Sequence, residues 1–117
     1  MANNQVSEDG REYATVDTDP TSGYFTKSVS PRHLKEDIFF SIRETDPDAS
    51  LPSEITIVLQ FQCHGDTGWQ TFNYNDGTAL VAGDRFHIDD YGAGVYWRAG
   101  VEAGEYVSGS LTFGFDW

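Results

Sequence analysis

Cysteine is almost missing from this sequence: Cys63 is the only one in 117 residues. No internal disulfide can staple the fold, and the thiol is expected to sit in the core as a small hydrophobe. Methionine is equally rare, occurring only at position 1. Positive charge is scarce, since seven Lys and Arg against 19 Asp and Glu leave a net charge of −12. Beyond position 50 only Arg85 and Arg98 face nine carboxylates. Neutralising a phosphate backbone or an anionic bilayer takes Lys and Arg, so nucleic acid and membrane surfaces are excluded as partners. The charge suits solubility or a basic partner. No apolar run approaches the ~20 residues of a bilayer span. The stretch MANNQVSEDG has neither the basic nor the apolar region of a secretory leader. The expectation is a soluble chain made in the cytoplasm, whose exit from a cell would be by lysis.

Helical periodicity is also lacking, and no internal repeat is present. What the sequence does hold is aromatic residues, 15% of the chain as eight Phe, six Tyr and three Trp, a composition that suits pleated sheets. Period-two alternation is clearest in EITIVLQFQC, where Ile55, Ile57, Leu59, Phe61 and Cys63 share one face, so 54–63 reads as one strand. DIFFSIR (37–43) reads as another, and WQTFNYN follows a turn at HGDTG. The NDG at 75–77 is the strongest hairpin signal, because Asn and Gly tolerate positive φ. A break at Ala82-Gly83-Asp84 leaves Phe86 and Ile88 on one face and Arg85 and His87 on the other. Two further strands are expected at about 94–100 and 107–115. In the second, Leu111, Phe113, Phe115 and Trp117 form an apolar row that either closes the chain's own core or anchors a subunit interface, where Trp is enriched. Turns recur at the spacing of an all-β protein. The expected fold is therefore an antiparallel β-sandwich or barrel of about six to eight strands.

Residues 1–32 are polar with scattered apolars, and read as an extended N-terminal arm with a short strand at 23–29, leaving 33–117 as the β-domain. SPRHLKED permits one helical turn, with Pro31 at its first position. ETDPDASLPS (44–53) reads as a loop.

Few groupings suggest chemistry. His87, Asp84, Asp89 and Asp90 crowd together, but turn chemistry accounts for them better than a metal site. Cys63 and His64 are strand neighbours pointing to opposite faces, which does not make a nucleophile and base. Glu54, Glu102 and Glu105 form no recognisable acid and nucleophile pair. No nucleophile elbow, phosphate loop, dinucleotide fingerprint or CxxC occurs. No catalytic residue, cofactor or metal is expected, and the chain reads as non-enzymatic. Trp69, Tyr91, Tyr96 and Trp97 offer rings for a sugar platform, although Tyr96 and Trp97 must face opposite ways. Arg98 is expected to form a structural salt bridge, with a cation–π contact as the alternative.

The segment LQFQCHGDTGWQTFNYNDG…FHIDDYGAGVYWRAGVEAGEYVSGSLTFGFDW, with its Gly-rich WRAGV, SGS turn and aromatic last strand, resembles small all-β proteins encoded among the structural genes of tailed bacteriophages. In particular it resembles capsid decoration (cement) proteins, over residues 54–117. The resemblance implies a virion protein that binds the outer face of the head. It would form homotrimers, contact the major capsid protein or other virion proteins, and stabilise the capsomer lattice. Neck, tail or fibre components are the alternative within the virion, and a carbohydrate-binding β-sandwich is the alternative outside it. Tyr13, Tyr24, Phe25 and Trp117 are the candidate subunit or capsid contacts.

Overall fold

The computed structural model describes residues 10–30, 38–63, 67–72, 80–88 and 96–117. These residues form ten strands and no helix: β1 (Arg11–Val16), β2 (Tyr24–Phe25), β3 (Ile38–Glu44), β4 (Glu54–Ile55), β5 (Val58–Gln62), β6 (Gln70–Thr71), β7 (Arg85–Ile88), β8 (Tyr96–Val101), β9 (Tyr106–Ser108) and β10 (Leu111–Asp116). Alternation decides what each strand buries. In β3, Ile38, Phe40 and Ile42 are buried; in β8, Trp97, Ala99 and Val101; in β10, Leu111, Phe113 and Phe115. A strand with one apolar face needs a second sheet to cover it, and these rows supply both sides of one core.

The two principal sheets have strand orders β1-β10-β3-β7 and β2-β8-β5-β6, and β4 pairs with β9 in a separate two-stranded ladder. Four antiparallel pairs, β1·β10, β2·β8, β3·β7 and β5·β6, nest one inside the next along the chain. Wrapping that long ribbon brings β10 beside β3 and β5 beside β8. Among these eight strands, every connection but β5 to β6 crosses from one sheet to the other. This is the strand order of a jelly roll, a sandwich built from two Greek keys. Its interior is filled by rings: Phe40 meets Phe115 with centroids 5.4 Å apart, and Trp97 meets Phe61 and Phe72, each at 5.4 Å.

The all-β sandwich is as expected, with eight sandwich strands and the β4·β9 ladder added. Several details differ. Residues 10–30 belong to the sandwich itself: β1 lies against β10 along its whole length, and β2 and Val29 pair with β8. Ala14, Val16 and Val29 are core residues, so a boundary at 32/33 does not separate an arm from the domain in this region. The run 54–63 is two strands. Ile55 pairs towards Tyr106 while Ile57 bridges Leu80, so the chain passes from one ladder to another without losing its inward face. Cys63 ends this run exposed, not buried, because β5 stops at Gln62. The strand expected at 107–115 is β9 and β10, broken by a turn at Gly109. Residues 1–9, the helical turn at SPRHLKED beyond Ser30 and the NDG hairpin lie outside the described residues.

The apolar row at 111–117 closes the chain's own core. Phe113 and Phe115 are 0% exposed, and β10 is an interior strand flanked by β1 and β3. Trp117 is partly buried against the same core, and its N–H donates to the Gly10 carbonyl at 3.1 Å.

Candidate functional site

Rings fill the described interior of the sandwich, and its outward faces are surfaces that a ligand or partner can reach. On the β2-β8-β5-β6 sheet the outward residues of β8 are Tyr96, Arg98 and Gly100, alternating with the buried Trp97, Ala99 and Val101. Gly100 lies opposite Phe25 and Arg98 opposite Gln60, which in turn lies opposite Thr71. A β-carbon on Gly100 would fall 2.5 Å from a Phe25 ring carbon and 2.3 Å from the Tyr24 carbonyl oxygen, so glycine at 100 is what lets Phe25 lie flat across β8.

Phe25 and Trp69 then hold the Arg98 guanidinium, whose central carbon lies 4.0 Å from the Phe25 ring centroid and 4.4 Å from that of Trp69. Arg98 Nε donates to Gln60 Oε1 at 2.9 Å. Gln60 Nε2 lies 3.4 Å from Glu102 Oε2, and Gln62 Nε2 lies 3.4 Å from the Gly68 carbonyl. Under this layer Gln60 and Gln62 are only 5% and 6% exposed although both point away from the core. The backbone adapts opposite Arg98. Thr26 N–H bonds the Ala99 carbonyl and Val29 exchanges two bonds with Trp97, so Lys27 and Ser28 together oppose one residue of β8, a bulge. Burial lowers the Arg98 pKa, and the charge of Glu102 opposes that shift. Arg98 is therefore bonded to an amide and stacked on rings, and the expected carboxylate acts on it through its field alone.

The outer face of the other sheet carries a cavity of about 310 Å³ lined by Phe39, Phe40, Ser41, Arg85, His87 and Asp116. Phe39, 52% exposed, stacks on His87 with ring centroids 4.9 Å apart. The Tyr13 hydroxyl donates to Asp116 Oδ2 and lies 3.4 Å from Ser41 Oγ. Burial, and then the bond to Asp116, raise the Tyr13 pKa. Ser41, His87 and Asp116 line one cavity, and the Tyr13 hydroxyl reaches both Asp116, to which it donates, and Ser41. A phenol with a raised pKa therefore stands between the serine and the carboxylate.

The four candidate contact residues are split between the sheets. Tyr13 belongs to the first, directly opposite Gly114, and Trp117 directly follows its strand β10. Tyr24 and Phe25 form β2 in the second. Tyr24, 49% exposed, lines a groove of about 290 Å³ with Thr15, Val16, Asp17, Thr18, Pro20 and Gly23. Of the four rings read as a sugar platform, Trp69 and Tyr96 reach the outer face, Trp97 is core at 1% exposure, and Tyr91 lies outside the described residues. Asp84 closes its own turn by accepting from the Val81 N–H at 2.8 Å; His64, Asp89 and Asp90 lie outside the described residues. Sequence reasoning missed Gln60 and Gln62 as site residues, because an outward polar residue on a strand carries no sign of what covers it.

No protein-family model, curated protein or solved structure matches the chain.

Proposed function

We propose that this chain is a non-enzymatic virion structural protein, a decoration protein that binds the outer face of a tailed-phage head and stabilises its capsomer lattice. The observation that carries the reading is the jelly-roll strand order, an architecture that viral coat domains use repeatedly. A fold supplies a scaffold and its surfaces supply the function, so three further features bear on it. The ring-filled core leaves the outer faces to act. Tyr24, Phe39, Leu51, Val81 and Val107 expose apolar side chains that a lattice of neighbours would cover. The net charge of −12 keeps the chain off packaged DNA and favours capsid surfaces presenting Lys and Arg. Tyr13, Tyr24, Phe25 and Trp117 remain the candidate contacts to the major capsid protein or to other copies in a homotrimer.

The test is to mix the purified chain with expanded heads of its phage and measure co-sedimentation and the temperature at which the heads lose DNA. Binding at hundreds of copies per head with a raised release temperature is the expected result. Absence of binding overturns the reading, and a stoichiometry of a few copies would move the protein to the neck or tail.

A further inference from the structure

We infer that the outer face of the β2-β8-β5-β6 sheet is a binding site for a neutral glycan, centred on Trp69, Arg98 and Glu102, with Gln60 buried beneath them as the link between the two charged groups. Arg98 only donates hydrogen bonds and the exposed Glu102 carboxylate only accepts, while the Gln60 amide that joins them is buried with its oxygen and its nitrogen both engaged. They follow one another across the face, Arg98 Nε bonded to Gln60 Oε1 at 2.9 Å and Gln60 Nε2 lying 3.4 Å from Glu102 Oε2. A ligand matching donor and acceptor side by side must itself donate and accept from adjacent atoms, which vicinal hydroxyls do and carboxylates, phosphates and sulfates do not.

Charge selects in the same direction. An anionic ligand reaching Arg98 would approach the Glu102 carboxylate, on a chain of net charge −12. Rings complete the match, because the C–H face of a pyranose packs on an aromatic surface, and Trp69 is partly exposed beside the guanidinium it stacks on. Tyr96 shares this outward face of β8 with Arg98 and extends it towards Gln62.

The site is also preorganised. The Arg98 side chain is held on two ring faces and at Nε, and Gln60 is buried beneath it, so little side-chain freedom remains to be lost on binding. A merely structural arginine would be as well fixed, but it would not need an exposed acceptor, Glu102, at the end of its hydrogen-bond row.

The experiment titrates the full chain with cellohexaose, maltohexaose, mannohexaose and, as the acidic comparison, hexagalacturonate, following tryptophan fluorescence and isothermal heat. At least one neutral hexasaccharide is expected to bind and perturb the fluorescence. Trp69→Ala should weaken that binding by about tenfold or more, equivalent to about 1.4 kcal/mol. Glu102→Ala, an exposed position whose loss leaves the core untouched, should weaken it about threefold to tenfold with an unchanged circular dichroism spectrum. Failure of all three neutral sugars to bind, equal binding by Trp69→Ala, or tighter binding of hexagalacturonate would each overturn the assignment. A molar mass by light scattering that falls on Trp69→Ala would do so too, by giving the face to a second copy of the chain. The inference does not rest on the virion reading: head binding and oligosaccharide binding are separate measurements, and either can fail alone.

Discussion

Ser53 grips the carboxylate of Glu44 twice, its hydroxyl donating to Oε1 at 2.6 Å and its backbone N–H to Oε2 at 2.8 Å. These bonds, the hydroxyl's first, hold the Glu44 carboxyl below its usual pKa. A carboxyl that ionises more readily in the folded chain stabilises that chain above the unfolded pKa of about 4.3, and the contribution is lost as pH falls through the folded value. Glu44→Gln should therefore cost stability at pH 7, by about 1 kcal/mol or less because water competes at a partly exposed site. The deficit should shrink as the pH is lowered from 7 to an acid value below the unfolded pKa, where the folded carboxyl begins to be protonated. Urea midpoints of both proteins at the two pH values test this, and a deficit independent of pH would exclude the ionised pair as its cause. Neither residue stood out in ETDPDASLPS, which reads as a loop. That reading is right about the backbone of 45–53, Glu44 itself being the last residue of β3, and it is silent about the contact, because the turn that returns residue 53 to residue 44 has no periodicity to betray it. Arg98 was legible as a residue needing a partner. Its partners were not, since Phe25 and Trp69 lie 73 and 29 positions away and only strand pairing joins them.

At the scale of elements, alternation served well where a strand keeps one partner and less well where it changes partners. Ile38–Glu44 and Tyr96–Val101 fall within about two residues of their expected bounds. The run 54–63 keeps its inward row but splits, because β4 joins β9 while β5 joins β8, and periodicity within a chain carries no information about which chain segment lies alongside. Strand β10 shows how closely neighbours can approach. A β-carbon on Gly114 would stand 2.1 Å from the Glu12 carbonyl oxygen and 2.7 Å from the Tyr13 α-carbon. Both are backbone atoms and cannot turn aside, so Gly114→Ala should push β1 away from β10 at a cost of about 2–3 kcal/mol, the upper part of the usual range for overpacking. Hydrogen exchange locates the effect: amides of Arg11–Val16 should lose protection while those of β5 and β8 keep theirs. Unchanged protection in β1 would mean that β1 does not cross β10 at Gly114.

The whole molecule is where the sequence was least informative. Its composition and turn spacing indicate a sandwich, but a jelly roll requires pairings such as Arg11 with Asp116, whose separation along the chain no local pattern encodes. The polar stretch before residue 32 reads as an arm for the same reason. Its apolar residues are too sparse to specify a core by themselves, and they reach burial only because β8 and β10 lie ready to receive them. This leads to opposite expectations for a chain lacking residues 1–30. An arm laid outside a complete domain could be removed with the β circular dichroism and the cooperative unfolding intact, changing only assembly. Strands of the sandwich cannot: the truncation strips β1 from β10 and β2 from β8, removes Ala14, Val16 and Val29 from the core, and leaves Arg98 without Phe25. Losing several buried side chains together, each contributing about 1.5–3 kcal/mol or less for the smaller ones, approaches the 5–15 kcal/mol by which a domain of this size is stable. The truncated chain should therefore show no cooperative melting transition at 25 °C and above, and should aggregate where the full chain gives a single molar mass by light scattering. A truncated chain that melts cooperatively at the temperature of the full one would restore the arm and remove residues 10–30 from the sandwich.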